Sequence, residues 1–349
     1  MENTHTPSRR IVDGYGGWQR ILRSLTLGEG LTAELAEAIL NLIMAGEVSD
    51  ARIAGFVVAM RMKNESATEL TGMVRAMLNA ATPLDLPDGT IDIVGTGGAP
   101  SRMEHALNVS TMSCFVSAAA GAVVCKHGNV KASSTSGSFD FLEALGVQIE
   151  TDPVKLSSEV RNRRLGFAYA RAFHPAMRHV AAVRSELGIP TLFNILGPLS
   201  HPGRVKHQVV GVSDPKLVDK VAEVLLARGA KRAMVVHGEE RLDELTTTGP
   251  SQVREIRNGT ISSFMFSPAD LGLKIVGSED IRGGSAADNA KIFTSIIAGE
   301  PSPQRDIVTL NAAAGLVVAG LADELQDGLE IAAQAIDNGR VAKLLNSMR

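Results

Sequence analysis

Apolar residues recur at helical spacing from Gly17 to about Ala81. Trp18, Ile21 and Leu22 open the series, Ala33 to Met44 continue it, and Thr68 to Leu78 close it, with turns at Gly28-Glu-Gly30 and Gly46 to Ser49. No strand-like alternation interrupts this stretch, so it predicts a small helical domain. The polar residues 1–16 ahead of it read as a flexible arm. The pattern changes at Thr82-Pro-Leu-Asp-Leu-Pro-Asp-Gly89, a Pro/Gly/Asp linker. Beyond it, short β-rich runs (Ile91–Val94, Val123–Cys125, Phe167–Ala170, Val209–Val212, Met234–His237) alternate with helix-length segments (Met112–Ala120, Gly137–Leu145, Pro215–Arg228, Asp306–Leu321). Such alternation predicts a mostly parallel sheet with helical crossovers. Asn258-Gly259 between two β-rich runs predicts a hairpin. The fold class is therefore α/β: a small N-terminal helical domain over 17–89, joined by a helix near 175–200, and a larger α/β domain over 90–349 with a mostly parallel central sheet.

Composition narrows the function classes. A chain of 349 residues with 44% hydrophobic and only 4% aromatic content can bury a large, tightly packed core. Its formal net charge of −3 offers no basic stripe for nucleic acid or for an anionic membrane. No uninterrupted apolar run approaches the roughly 20 residues of a membrane span, and the polar start lacks the apolar core of a signal peptide. Cys114 and Cys125 lie in apolar runs without metal-ligand companions, which predicts buried free thiols and a reducing, cytoplasmic setting.

Three polar loops carry the candidate chemistry. Val94-Gly-Thr-Gly-Gly98, Asn108-Val-Ser-Thr111 and Lys126-His-Gly-Asn129 gather glycines, hydroxyls and cations, and no acidic residue stands between Glu104 and Asp140. Glycines let backbone N–H groups approach phosphate oxygens, and hydroxyls add donors, so the three together predict an anion site. A dinucleotide fingerprint fails, because Pro100 stands where the third glycine belongs and no acidic residue follows at ribose distance. A P-loop fails for want of a Gly-Lys-Ser/Thr triplet.

Two further groups extend the site. Asp243-Glu244 is flanked by leucines and followed by Thr246-Thr-Thr248, which suggests a fixed acidic loop rather than a solvated one such as Glu239-Glu240. A polyphosphate needs neutralising, and Mg²⁺ on one or two carboxylates is the usual solution, with Ser110 as a further oxygen. His174-Pro-Ala-Met-Arg178, Arg184 and Asn194 to Leu199 form the other group. Arg184 precedes a Pro/Gly-punctuated apolar segment, where a guanidinium can pair bidentately with a small carboxylate.

In order and kind, these motifs resemble those of the anthranilate phosphoribosyltransferases, from about Ile21 to the C-terminus. The resemblance implies transfer of ribose 5-phosphate from phosphoribosyl pyrophosphate to the amine of anthranilate, within tryptophan biosynthesis. It assigns the donor to Gly95, Thr96, Gly97, Gly98, Asn108, Val109, Ser110, Thr111, Lys126, His127, Gly128, Asn129, Ser133, Ser134 and Ser138. Anthranilate would meet Gly95, Asn129, His174, Arg184 and Pro198. Ser110, Asp243 and Glu244 would handle Mg²⁺. Lys126 and Asn129 would stabilise the transition state, and no general base is required. The resemblance also implies a homodimer through the helical domain, consistent with its many apolar positions, among them Ile39, Leu40, Leu42, Ile43 and Met44.

The sequence departs from the family pattern in three places. Ala99 replaces the usual Asp after Gly-Thr-Gly-Gly, the connection to Asn108 is longer than the common form, and Val130 replaces an Arg after Lys-His-Gly-Asn. Three other readings compete: a paralogue with a different aromatic amine or acid acceptor, a pyrimidine-nucleoside phosphorylase, and a non-catalytic relative binding nucleic acid. The last sits poorly with a pI near 6.3.

Overall fold

The computed structural model describes residues 6–98, 105–130 and 135–349. The first helices are α1 (Pro7–Gly14), α2 (Gly17–Thr26), α3 (Ala33–Met44), α4 (Asp50–Lys63) and α5 (Ala67–Asn79). Then come β1 (Ile91–Gly95), α6 (Val109–Ala119), β2 (Val124–Gly128), α7 (Ser138–Ala144), α8 (Pro153–Arg163) and β3 (Leu165–Tyr169). Three helices follow, α9 (Ala170–Phe173), α10 (Arg178–Leu187) and α11 (Leu192–Leu199). The sheet resumes with β4 (His207–Gly211), α12 (Val218–Ala227), β5 (Arg232–Gly238), β6 (Ser251–Arg257) and β7 (Thr260–Phe266). The chain ends in α13 (Ala286–Ile297), α14 (Pro303–Ala319), α15 (Leu325–Asp337) and α16 (Arg340–Asn346).

These elements form two compact units. One comprises the chain up to Thr82 together with Arg171–Arg204, and the other Pro83–Ala170 with Val205–Arg349. The helical unit is thus discontinuous, and it recruits two helices, α10 and α11, where the sequence pattern suggests one near 175–200. Gly188 in the left-handed conformation ends α10 and separates the two.

The flexible arm expected over 1–16 needs correcting. From Pro7 it is helix α1, with the Thr6 hydroxyl accepting from Arg9 N–H and proline at the first helical position. Val12 is its buried anchor, and Arg9 pairs with Glu47 at 2.6 Å. One buried residue in a polar octapeptide gives no readable apolar stripe. Ile39, Leu40, Leu42, Ile43 and Met44 also correct an expectation. All five are buried within the chain at 0–6% exposure, so they face its own core and not a partner.

A buried carboxylate organises this unit. Ser66 and Glu69 form a reciprocal capping box at the start of α5. Glu69 also accepts from Leu31 N–H at 2.8 Å and from the Lys63 ammonium at 2.7 Å. Burial drives its pKa up, but Lys63 and the two backbone donors outweigh that and hold it below the usual carboxylate value.

In the second unit, seven strands run in the order β3-β2-β1-β4-β5-β6-β7. The first five pair in parallel, and β6 and β7 add an antiparallel hairpin turned by Asn258-Gly259. The parallel strands are covered on both faces, which is why they read as apolar runs and not as alternation. Helices α6 and α14 lie together in the core. The hydroxyls of Ser113 and Ser117 on α6 donate to the Val308 and Ala312 carbonyls of α14. Cys114 and Cys125 are buried, and burial pushes the Cys114 thiol up to about 12. Among the described residues, no helix is long and apolar enough to cross a membrane.

Candidate active site

The strand order dictates where a ligand belongs. From β1 the chain moves one way to β2 and β3, then returns to place β4 on β1's other side. A crevice opens beyond the carboxyl ends of β1 and β4 at such a switch point. Gly95 and Gly211 are paired there as the last residues of the two strands. A Cβ on either glycine would collide with Asp243, which enters from the loop after β5. Gly95 makes room for the Asp243 carboxylate, and Gly211 for the Asp243 backbone carbonyl.

The loop after β1 is built from this point. Thr96 N–H donates to the Gly211 carbonyl at 2.9 Å, and the Ser213 hydroxyl to the Gly97 carbonyl at 2.7 Å. Gly97 and Gly98 take φ of 68° and 80°, where a side chain would be strained. Gly97 N–H donates to Asp243 Oδ2 at 2.8 Å. The structure thereby joins the glycine loop after β1 to the acidic pair. Asp243 and Glu244 are both buried, as a fixed loop requires, whereas Glu239 and Glu240 are exposed.

Lys126 is the central cation. Its stem is buried in β2, and its ammonium donates to the Ile93 carbonyl at 2.5 Å and to Ser110 Oγ at 3.2 Å. The second and third motifs therefore meet at the end of β1. Ser110 and Thr111 lie in the first turn of α6, where backbone N–H groups favour an anion. The buried Thr111 hydroxyl has no hydrogen-bond partner among the described residues. Asn108 caps α6, but its carboxamide is engaged with Ser136: Ser136 Oγ donates to Asn108 Oδ1 at 2.7 Å, and Asn108 Nδ2 donates to the Ser136 carbonyl at 3.3 Å.

Asn129 is exposed just beyond β2, and Ser138 begins α7 in van der Waals reach of Gly128. His127 is buried, and its N–H donates to Asp92. Val130 is partly buried and packs against the hydrophobic core, an environment that suits an apolar side chain. Ser133, Ser134 and Ala99 lie outside the described residues.

Asp92 is the residue that sequence reasoning missed. It is fully buried in β1, within electrostatic reach of Lys126, and accepts from the His127 backbone N–H at 3.2 Å and from Gln208 Nε2 at 3.3 Å. The Arg228 guanidinium in turn donates to Gln208 Oε1. Burial pushes the Asp92 carboxyl up to about 6, although Lys126 and Arg228 pull it back. Its signal was available: a lone charge inside the apolar run Ile91-Asp-Ile-Val94. Asn289 and Asn311 were missed as well, being single polar residues in helical stretches.

Three of the sequence-predicted acceptor residues belong to the helical unit. Arg184 on α10 is half-buried, its guanidinium 5.7 Å from the centre of the Phe193 ring, and burial lowers its pKa. His174 is buried and, for that reason, falls to about 4, so it is neutral at pH 7. Pro198 sits within α11 and is buried. Gly95 and Asn129 belong to the α/β unit.

Comparisons with known proteins agree with this geometry. Residues 88–342 match the glycosyl transferase family a/b domain, and residues 19–81 match the helical bundle domain of the same family. The anthranilate phosphoribosyltransferase of Petrotoga mobilis is 42% identical over 94% of both chains. That of an Arthrobacter species is 44% identical, again over 94% of both. The crystal structure of the anthranilate phosphoribosyltransferase from Thermus thermophilus superposes with a TM-score of 0.88 at 40% identity, covering 94% of this chain and 98% of that one. The Saccharomyces cerevisiae enzyme in complex with PRPP and Mg shares the fold, with a TM-score of 0.85 at 24% identity over 97% and 98%. A helical bundle, a parallel sheet with its loops at the switch point, and full-length likeness to named relatives converge: this chain belongs to the glycosyl transferase family, and within it to the anthranilate phosphoribosyltransferases.

Proposed function

We propose that the protein transfers the 5-phosphoribosyl group from phosphoribosyl pyrophosphate to the amine of anthranilate, yielding N-(5-phosphoribosyl)anthranilate and pyrophosphate in tryptophan biosynthesis. One observation carries this reading: Lys126, Ser110, the Gly97 amide and the Asp243 carboxylate all gather around the end of β1. A cation, hydroxyls and glycine amides suit a phosphate-bearing donor, and its relatives carry the same activity in their names.

Two adjacent buried carboxylates fit Mg²⁺, a hard cation that takes one or two carboxylates and completes its shell with water and substrate phosphates. Asp243 and Glu244 would hold it, with Ser110 as a further oxygen. When bound, the metal masks pyrophosphate charge. The chain's own groups do the rest. Lys126 and the first turn of α6 meet the donor's anionic oxygens, and Asn129 adds a donor at the end of β2. The C1–pyrophosphate oxygen bond breaks, the acceptor nitrogen bonds to C1, and the amine releases one proton to solvent. Positioning and electrostatic stabilisation suffice, because pyrophosphate leaves readily once its charge is balanced. On the acceptor side, Arg184 is the partner of the carboxylate.

The test is product analysis by mass spectrometry with phosphoribosyl pyrophosphate, Mg²⁺ and a panel of aminobenzoates. The 2-amino isomer should be the one converted, and transfer to none of the panel overturns the reading. Arg184→Ala should raise the acceptor KM roughly ten- to a hundredfold while leaving the donor KM in place. We further propose a soluble, cytoplasmic homodimer paired through the helical unit, where Leu27 and Met62 are exposed at 67% and 83%. A strictly monomeric mass by sedimentation at micromolar concentration rejects the dimer.

A further inference from the structure

The loops of the donor site are not held by the sheet alone. Two buried asparagines on the C-terminal helices reach them, and each uses its carboxamide as a substitute for a neighbouring strand. Asn311, in the middle of α14, is 2% exposed. Its Oδ1 accepts from Leu245 N–H at 3.1 Å, and its Nδ2 donates to the Leu245 carbonyl at 2.8 Å and to the Ile307 carbonyl one turn back at 2.9 Å. Asn289, in the first turns of α13, is fully buried. Its Oδ1 accepts from Asn108 N–H at 2.9 Å, and its Nδ2 donates to the Ala106 carbonyl at 2.9 Å.

Asparagine is a poor helix former, and its buried amide costs free energy unless it is fully paired. Packing alone would be served better by leucine at both positions. What the amide supplies is a donor and an acceptor aimed at backbone groups that no strand can reach. Leu245 directly follows the Asp243-Glu244 pair, and on the other side of the pair Gly238 N–H donates to the Leu242 carbonyl at 2.9 Å. The acidic pair is thus pinned at both ends. Asn108 is likewise the cap of α6, two residues before Ser110.

We propose that Asn311 is a positioning residue for the Asp243-Glu244 pair and Asn289 one for the start of α6, so that α13 and α14 set the relative aim of the two halves of the donor site. The inference rests on the phosphoribosyltransferase reading, and it predicts different failures for the two variants. In Asn311→Ala the Mg²⁺ concentration for half-maximal rate should rise by about tenfold, the loss of one to two hydrogen bonds, with acceptor KM within about twofold of wild type. Without metal or substrate, amide exchange over residues 242–248 should accelerate about tenfold, while β5 exchanges as in the wild type. Asn289→Ala should instead raise the donor KM and leave both the Mg²⁺ midpoint and the 242–248 exchange unmoved.

An Asn311→Ala protein that loses kcat with an unchanged Mg²⁺ midpoint and unchanged exchange overturns the inference. If that variant does not fold, Asn311→Asp, which keeps the acceptor oxygen and loses the donors, should show the same shifts. A wild-type Mg²⁺ titration in the aspartate variant rejects the inference, and so does failure of both variants to fold. A wild-type protein inert with phosphoribosyl pyrophosphate, Mg²⁺ and anthranilate overturns the functional reading itself, and this inference with it.

Discussion

Glu69 in the helical unit and Asp92 in the sheet are both buried carboxylates under the influence of a lysine, and they respond in opposite ways. Glu69 in the helical unit hydrogen-bonds directly to Lys63 and to two backbone amides, and its pKa falls. Asp92 in the sheet has Lys126 nearby, yet the ammonium donates to the Ile93 carbonyl and Ser110, and the Asp92 pKa rises to about 6. The first is a closed ion pair, its charges spent on one another. In the second the cation is only partly compensated. Such a lysine keeps an unspent attraction for an anion, which is what a phosphate site requires. On the proposed function, the difference separates a charge that holds a fold together from one held ready for a ligand.

The comparison can be broken most forcefully at Glu69. Glu69→Ala strands Lys63 and two backbone donors, and should cost about 3–5 kcal/mol in denaturant unfolding. A loss below about 1 kcal/mol would mean that the pair is no keystone.

Lys126→Met tests the other side. It should lower kcat/KM by about 10²–10³-fold, the range for losing one preorganised charge-stabilising donor. If turnover falls less than tenfold, Lys126 serves the fold and the contrast with Lys63 disappears.

The smallest effect is a pH slope at Asp92. Its folded pKa lies above the ordinary 3.8, so its favourable share of stability is complete below about pH 4 and lost as pH rises through about 6. Wild type should therefore weaken across that window relative to Asp92→Asn, by up to about 3 kcal/mol. Glu69, with its lowered pKa, has the opposite sign: its contribution is present above about 4.5 and lost on acidification. Parallel pH profiles for Asp92→Asn and wild type would remove the asymmetry.

Much of this was legible in the sequence where local chemistry and tertiary role coincide. The loops proposed to hold the donor stood out because glycines, hydroxyls and a lysine cluster in them, and the parallel strands because double-sided burial makes them apolar runs. Helix α8 was less legible: its buried residues are only Leu156, Ser157 and Val160. Helix α1 was hidden for the same reason. Asp92, Asn289 and Asn311 escaped because their partners are distant, and a polar residue in an apolar stretch does not reveal what it meets. Arg184 was picked out by motif, and its ring contact with Phe193 became visible only in three dimensions.

The bonds that assemble the proposed donor site have a consequence in time. Gly97 and Asp243 are 146 residues apart, and Asn108 and Asn289 are 181 apart. Closing such long loops delays the contacts that depend on them. A ribosome must therefore deliver the chain through Asp243 before the glycine loop after β1, made early, finds its last partner. On the proposed function, the nascent protein carries the donor motifs long before it can hold a donor, and competence waits for α13 and α14.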